Sequence, residues 1–276
     1  MAYDLKGLFG LEDKTAVITG GGGVLCGEMA RALGALGVRV AVLDLLAVAA
    51  ENVAKEIKDA GGRALAVECN VLARDSVQAA CDRVLKEFGK VDILINGAGG
   101  NKREATTSDT LSFFDMPIDA MRFVFDLNFI GTLLPCQVFG RPMTEADRGI
   151  IINTSSMSAF RPLTNVAGYS AAKSAVSNFT AWLAVHMSQN HSRHIRVNAI
   201  APGFFLTEQN RYLLTDRKTG ELTARGKRIL DHTPMNRLGE PSDLIGTVVW
   251  LCSPGASFVH GTVVAVDGGF AAYSGV

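Results

Sequence analysis

Seven short apolar runs, each separated from the next by enough chain for a helix, constrain this sequence more than any other feature. They read TAVIT (15–19), VRVAVLD (38–44), ALAVECN (64–70), VDILIN (91–96), GIIINTS (149–155), IRVNAIAP (195–202) and TVVAVDGG (262–269). Between the first four lie LCGEMARALGAL, AAENVAKEIKDAG and RDSVQAACDRVLKEFG, helical in spacing and stopped by Gly61, Gly62 and Gly89. The runs are apolar along their length rather than alternating, as expected of strands covered on both faces. Strand–helix alternation of this kind predicts an α/β fold, a doubly wound seven-stranded parallel sheet with helices on both faces. Right-handed crossovers then fix most of the topology.

The 276 residues are 48% hydrophobic, enough for a large core in one domain. No internal repeat or linker divides the chain. The one long polar interruption, 207–236, follows the sixth strand. Ligands of open α/β sheets sit at the carboxyl ends of the strands, so this stretch is expected to form a lid there.

Composition excludes several classes of function. The 27 basic and 27 acidic residues leave no net field for nucleic acid or an anionic membrane. The amino terminus lacks a basic-then-apolar signal pattern. VRVAVLDLLAVAA, broken by Arg39 and Asp44, is too short to span a bilayer. Five scattered cysteines with no C-x-x-C pair predict a reduced, cytoplasmic protein whose thiols are small core residues. His186, His191 and His194 are not spaced i, i+4 and bring no carboxylate, so no metal site is expected. Phe123, Phe125 and Phe129 read as core or subunit interface.

The first run leads into TGGGGVLCG (19–27). Four consecutive glycines are entropically costly and suit a backbone that must approach a ligand closely. A turn opening a helix also presents free N–H groups where the dipole favours an anion. Read as G-x-G-x-x-C on Gly21, Gly23 and Cys26, the match to a dinucleotide fingerprint is weak by itself. Asp44 strengthens it, ending the second strand about twenty residues on, where an acid accepts hydrogen bonds from an adenosine ribose. A carboxylate there repels a 2′-phosphate, and no arginine follows at once, so NAD is favoured over NADP. A helix N-cap at Asp44 and a plain tight turn are the simpler alternatives.

A second constellation lies in NTSSMSAFRPLTNVAGYSAAKSAVSNF (153–179). Tyr169 and Lys173 are four apart in a helical segment and share a face. A phenol with pKa about 10 is a poor base at neutral pH. An ammonium about 5 Å away, at an effective dielectric of about 20, favours phenolate by roughly 3 kcal/mol. On that argument Lys173 should lower the Tyr169 pKa by about two units. Ser156, at the end of the fifth strand, could bond a substrate carbonyl. In isolation a Tyr–Lys pair at this spacing is an ordinary amphipathic surface pair.

Taken together, TGGGGVLCG, INGAGG (95–100), LNFIG (127–131), Ser156 with Tyr169-Ser-Ala-Ala-Lys173, APGFFLT (201–207) and VDGG (266–269) resemble the short-chain dehydrogenases/reductases over nearly the whole chain. The resemblance implies one Rossmann-like domain over 1–276, a nicotinamide cofactor and a homotetramer. It implies Tyr169 as general acid/base and Lys173 as its electrostatic partner on the nicotinamide ribose. Ser156 would orient the carbonyl, and Asn128 would hold the water of a proton relay. The cofactor would meet Gly20, Gly23, Val24, Leu25, Asp44, Asn70, Val71, Asn96, Ala98, Gly99, Tyr169, Lys173, Pro202, Gly203, Phe205 and Thr207. Three departures from the family pattern stand out. Val24 and Cys26 replace the last two glycines of T-G-x-x-x-G-x-G, Asn70 stands where the family often has Asp, and N-G-A-G replaces N-N-A-G.

FRPLTNVAGYSAAKSAVSNFTAWLAVHM, APGFFLTEQNRYLLTD and DHTPMNRLGEP resemble a narrower branch that includes D-mannonate oxidoreductase (fructuronate reductase), itself similar to gluconate 5-dehydrogenases. That implies a small-molecule sugar-acid substrate. A hexuronate needs a cation for its carboxylate, and Arg161, five residues beyond Ser156, supplies a fork. Arg161 reads equally as a surface salt bridge, and Lys102 and Arg103 read as a solvated loop. Gln209 and Asn210, with Arg211, open the lid and could bind hydroxyls. Another polyol, a ketone or a 3-oxoacyl thioester would use the same chemistry, though the lid has few apolar runs for a long acyl chain. A non-catalytic nucleotide-binding module is the third reading, opposed by the intact Asn128, Ser156, Tyr169 and Lys173 set.

Overall fold

Strand β1 (Thr15–Thr19) is buried along its whole length, as its continuous apolar run requires. It pairs in parallel with β2 (Arg39–Asp44) on one side and β4 (Ile93–Asn96) on the other. Outward from β2 lies β3 (Arg63–Glu68); outward from β4 come β5 (Gly149–Thr154), β6 (Ile195–Pro202) and β7 (Val263–Val266). The result is one seven-stranded parallel sheet of order β3-β2-β1-β4-β5-β6-β7. This computed structural model describes residues 4–206, 214–216 and 219–275.

Among the described residues the α-helices are α1 (Leu5–Phe9), α2 (Val24–Ala35), α3 (Ala47–Asp59), α4 (Arg74–Phe88), α5 (Ile118–Phe125), α6 (Gly131–Glu145), α7 (Ala167–Asn190), α8 (Ala224–Asp231) and α9 (Ile245–Cys252). They cover both faces of the sheet and create two cores. On one face α2, α3 and α9 pack through Met29, Leu33, Val53, Ile57, Val248 and Leu251 onto Ile18, Val40, Val42, Ile93 and Ile95. On the other, α4, α6 and α7 pack through Val77, Val84, Phe139, Met143 and Leu183 onto Val17, Leu43, Leu94, Ile151 and Val197. Adjacent strand residues thus feed opposite layers, which is why each run is apolar at every position.

The carboxyl end of β1 lies between β2, which carries the chain out to one edge, and β4, which starts toward the other. A crevice at such a switch point is where open α/β sheets bind ligands. At the opposite end Asp92 fastens the seam. Its Oδ2 accepts from Thr15 N at 2.9 Å, and Lys90 and Arg148 neutralise it at 2.8 and 3.5 Å.

Two details differ from expectation. Strand β7 stops at Val266 because Gly268 and Gly269 take φ values of +64° and +89° and turn the chain away. The continuous helical stretch Ile118–Glu145 is long and apolar enough to cross a membrane, unlike the run first considered, but half of it is packed inside the fold. All five cysteines are buried and free. Burial pushes the thiols of Cys26, Cys81, Cys136 and Cys252 up to about 12. Of the lid, Leu214–Asp216, Thr219 onward and α8 are described, with Thr215 bridging to Leu222. Positions 207–213 and 217–218 lie outside the described residues.

Candidate active site

The glycine turn begins with a backbone only glycine tolerates. Gly20 has φ +63°, and a Cβ there would stand 2.8 Å from the Ala98 Cα. Gly21 N then donates to Leu43 O at 2.9 Å and Gly23 N to Gly20 O at 3.0 Å, so the turn is held between β1 and β2. Helix α2 starts at Val24 with Gly23 as its N-cap and no side-chain cap. Its first N–H groups therefore lack intrahelical partners, as an anion site requires.

Asp44 combines both readings of its position. Its Oδ2 accepts from Gly22 N at 3.0 Å and its Oδ1 from Leu46 N at 3.0 Å, so it organises two turns while facing the crevice. A cavity of about 520 Å³ runs from here across the carboxyl ends of the strands. Among expected cofactor residues Gly20, Gly23, Val24, Leu25, Asp44, Asn70, Val71, Ala98, Gly99, Gly203 and Phe205 line it. Leu45, Cys69, Leu127 and Phe204 join them without having been singled out, being apolar positions with no chemical signature in the sequence. Within the usual size range of ligand pockets, the crevice is elongated and walled by backbone at the glycine turn. Those are features that a dinucleotide fits.

Some expected residues lie elsewhere. Asn96 is one residue short of the cavity wall. Its side chain turns into the layer and donates to Asn153 Oδ1 at 2.9 Å and Cys136 Sγ at 3.1 Å. Pro202 ends β6 and is buried behind Gly203. Arg161 is exposed, and its Nε donates to Ala271 O at 3.1 Å, on the segment after β7. That contact spans 110 residues of sequence, so spacing could not reveal it. Thr207, Gln209, Asn210 and Arg211 lie outside the described residues. Lys102 is exposed, its Nζ 5.1 Å from the centre of the Phe123 ring.

Four polar groups converge beyond Gly99. Ser156, buried at the exit of β5, caps a short 3₁₀ turn through Ser158 N at 3.1 Å and hydrogen-bonds Tyr169. Tyr169 lies in the first turn of α7, and Lys173 one turn on is buried with its Nζ donating to Thr154 O at 2.8 Å. Asn128 sits in a π-turn, Asp126–Ile130, that joins α5 to α6. Its Nδ2 donates to Gly100 O at 2.7 Å and Val124 O at 2.8 Å, and its Oδ1 accepts from Gly100 N at 3.2 Å. A Cβ on Gly99 would lie 2.6 Å from Asn128 Oδ1 and 3.3 Å from Lys173 Nζ, so the cavity wall, the amide and the amine meet at one point.

The electrostatics correct one expectation. Burial pushes the Tyr169 phenol above its ordinary value, opposed by the Ser156 hydrogen bond. Burial also pulls the Lys173 ammonium down to about 8. The amine is aimed at the Thr154 carbonyl and lies 5.6 Å from the centre of the Tyr169 ring, so desolvation outweighs the through-space attraction assumed from spacing. The histidines also differ from expectation. His194 Nδ1 pairs with Asp147 Oδ2 at 2.9 Å, a carboxylate brought from 47 residues away, and Ser192 completes the contact at 2.6 Å.

With this geometry in hand, comparisons with known proteins agree on its kinship. A family model described as enoyl-(acyl carrier protein) reductase matches residues 25–271. An uncharacterized oxidoreductase of Bacillus subtilis (strain 168), UxuB, is 50% identical over 275 residues, 96% of this chain and 98% of the relative. A crystal structure from Haemophilus influenza, provisionally called a D-mannonate oxidoreductase and holding NAD, is 47% identical. It superposes with a TM-score of 0.90 over 96% of this chain and 98% of its own. The 7alpha-hydroxysteroid dehydrogenase of Escherichia coli (strain K12) is 34% identical over 259 residues, 94% of each chain. Sheet order, glycine turn, the Ser156–Tyr169–Lys173 cluster and these relatives together place the chain in the short-chain dehydrogenase/reductase family of NAD(P)-dependent oxidoreductases.

Proposed function

We propose that this chain interconverts the keto and secondary-alcohol forms of a sugar acid with NAD(H), D-fructuronate and D-mannonate being the best-supported pair. The observation that carries the proposal is the meeting of Ser156, Tyr169, Lys173 and Asn128 at the Gly99 wall of the cavity whose other wall holds Asp44. When bound, the nicotinamide supplies or accepts the hydride. Ser156 Oγ holds the substrate oxygen, and Tyr169 gives it the proton during reduction and takes it back during oxidation. The raised phenol pKa keeps Tyr169 in the donor form from which carbonyl reduction starts. Lys173 stabilises the phenolate as the proton leaves, and Asn128 shapes the route by which it is replaced.

Asp44 favours NAD, because its carboxylate is fixed by two N–H donors and faces the crevice. The 47% identical NAD-bound relative supports both the cofactor and the sugar-acid class. In this reading Gln209 and Asn210 take the hydroxyls, and Arg161 reaches the sugar carboxylate by exchanging its Ala271 contact. The segment 207–236 closes over them as a lid. A cytoplasmic homotetramer is part of the same proposal.

The test is an absorbance screen at the NADH band, with NADH and NADPH against fructuronate, tagaturonate, 5-ketogluconate, a 7-oxosteroid and simple ketones. Fructuronate with NADH should turn over fastest. Good turnover of a neutral ketone or the steroid with none of any sugar acid would overturn the substrate class.

A further inference from the structure

Two of the departures from the family pattern, Cys26 in the glycine turn and Gly97 in N-G-A-G, occupy one volume. Cys26 sits in the first turn of α2 and Gly97 just beyond β4, and both line the cavity. A Cβ built on Gly97 would lie 2.1 Å from Cys26 Sγ and 3.0 Å from Thr19 O. Real Cβ atoms do not approach so closely, so the sulfur stands where a side chain at 97 would stand. Neither side has much room to yield. Gly97 N and Ala98 N both donate to Thr19 Oγ1, at 3.1 and 3.3 Å, which pins the end of β4 to the end of β1. Cys26 is 6% exposed and packed into the core beneath α2.

We infer that Cys26 and Gly97 act as one cofactor-positioning unit, the thiol filling the space left by the missing side chain and setting the gap between the glycine turn and the Gly97–Gly99 wall. This rests on the dinucleotide reading of the cavity. The sulfur acts by its size here; buried and pushed up to about 12, the thiol is not a nucleophile. A wider gap would leave the pyrophosphate and nicotinamide halves loosely held, and a forced side chain at 97 would push α2 away from β4.

The test is a double-mutant cycle with Gly97→Ala, Cys26→Ala and the pair, read by NADH fluorescence, AMP binding and thermal midpoint. Gly97→Ala alone should lower the midpoint and weaken NADH about tenfold or more, the usual scale of overpacking. AMP, which needs only the Asp44 side of the crevice, should bind as before. Cys26→Ala alone should cost less than about threefold. The double variant, which trades a sulfur for a methyl, should return NADH affinity and midpoint to within about threefold and a few degrees of the parent. If Gly97→Ala does not fold, recovery of folded protein in the double variant supports the coupling. Undiminished NADH binding by Gly97→Ala, equal loss of AMP and NADH binding, or a double variant as damaged as the sum of the two would overturn it. Failure of the parent to bind NADH would sink the dinucleotide reading instead, and the thermal midpoints would still decide whether the pair is coupled.

Discussion

Lys173 shows how a residue can be legible in role and illegible in state. Its four-residue spacing from Tyr169 was readable, and the structure brings the two together with Ser156. The direction of the charges was not, because it depends on where Nζ points, and Nζ points at Thr154 O rather than at the phenol oxygen. The consequence is a pH-dependent stability with a definite sign. With its pKa lowered from 10.5 to about 8 in the fold, Lys173 binds fewer protons folded than unfolded between those values. Its contribution to stability therefore rises with pH across that window. Buried thiols raised from 9.0 to about 12 work the other way and already do so between pH 8 and 9, so the amine is isolated by comparing the parent with Lys173→Met. From pH 8 to 9 the thermal midpoint of cofactor-free Lys173→Met should therefore fall relative to that of the parent. An identical pH dependence in parent and variant would remove Lys173 as a contributor. The contacts of Asn96 and Arg161 were illegible for the same reason: their partners, Asn153 and Ala271, lie 57 and 110 residues away.

Among elements, the strands and the glycine turn were the most readable, since periodicity and glycine conformation are local properties. The turn makes a sharp prediction. Gly20→Ala must place a side chain at φ +63° and against the Ala98 backbone. Strain of about 1–3 kcal/mol at such a position should weaken NADH binding by roughly ten- to a hundredfold. Titration of the variant by NADH fluorescence checks this, and parent-like affinity would mean that the turn does not hold the cofactor. The π-turn at Asp126–Ile130 was not readable at all. Nothing in LNFIG distinguishes one extra residue per turn from an ordinary helix, yet this element carries Asn128 into the site. Such bulges are common at functional positions.

At the scale of the molecule, alternation and crossover handedness were enough to anticipate one parallel sheet and the crevice at its switch point. What covers the outer helices was not anticipated in detail. Phe125, Phe129, Phe179, Trp182, His186 and His191 form a continuous ladder of ring contacts along the π-turn and α7. Trp182 is 55% exposed, too apolar a surface for an isolated subunit to favour. Light scattering coupled to size exclusion should find four copies, and Trp182→Glu should shift the protein to smaller species. A monodisperse monomer for the parent would refute the tetramer.

The Thr15–Asp92 fastening between β1 and β4 has a consequence during synthesis. Among the strands of this sheet β1 is made first, and the edge that meets β4 stays bare until β4 follows, some 77 residues later. A nascent chain carrying only β1 to β3 has one edge of β1 uncovered and the Gly97–Gly99 side of the crevice missing. Parallel, long-range pairing of this sort is slow to close and exposed to aggregation while it waits. The β1–β3 stretch should therefore be aggregation-prone until β4 arrives, and the crevice that Asp44 and Gly97–Gly99 line together exists only after the seam has shut.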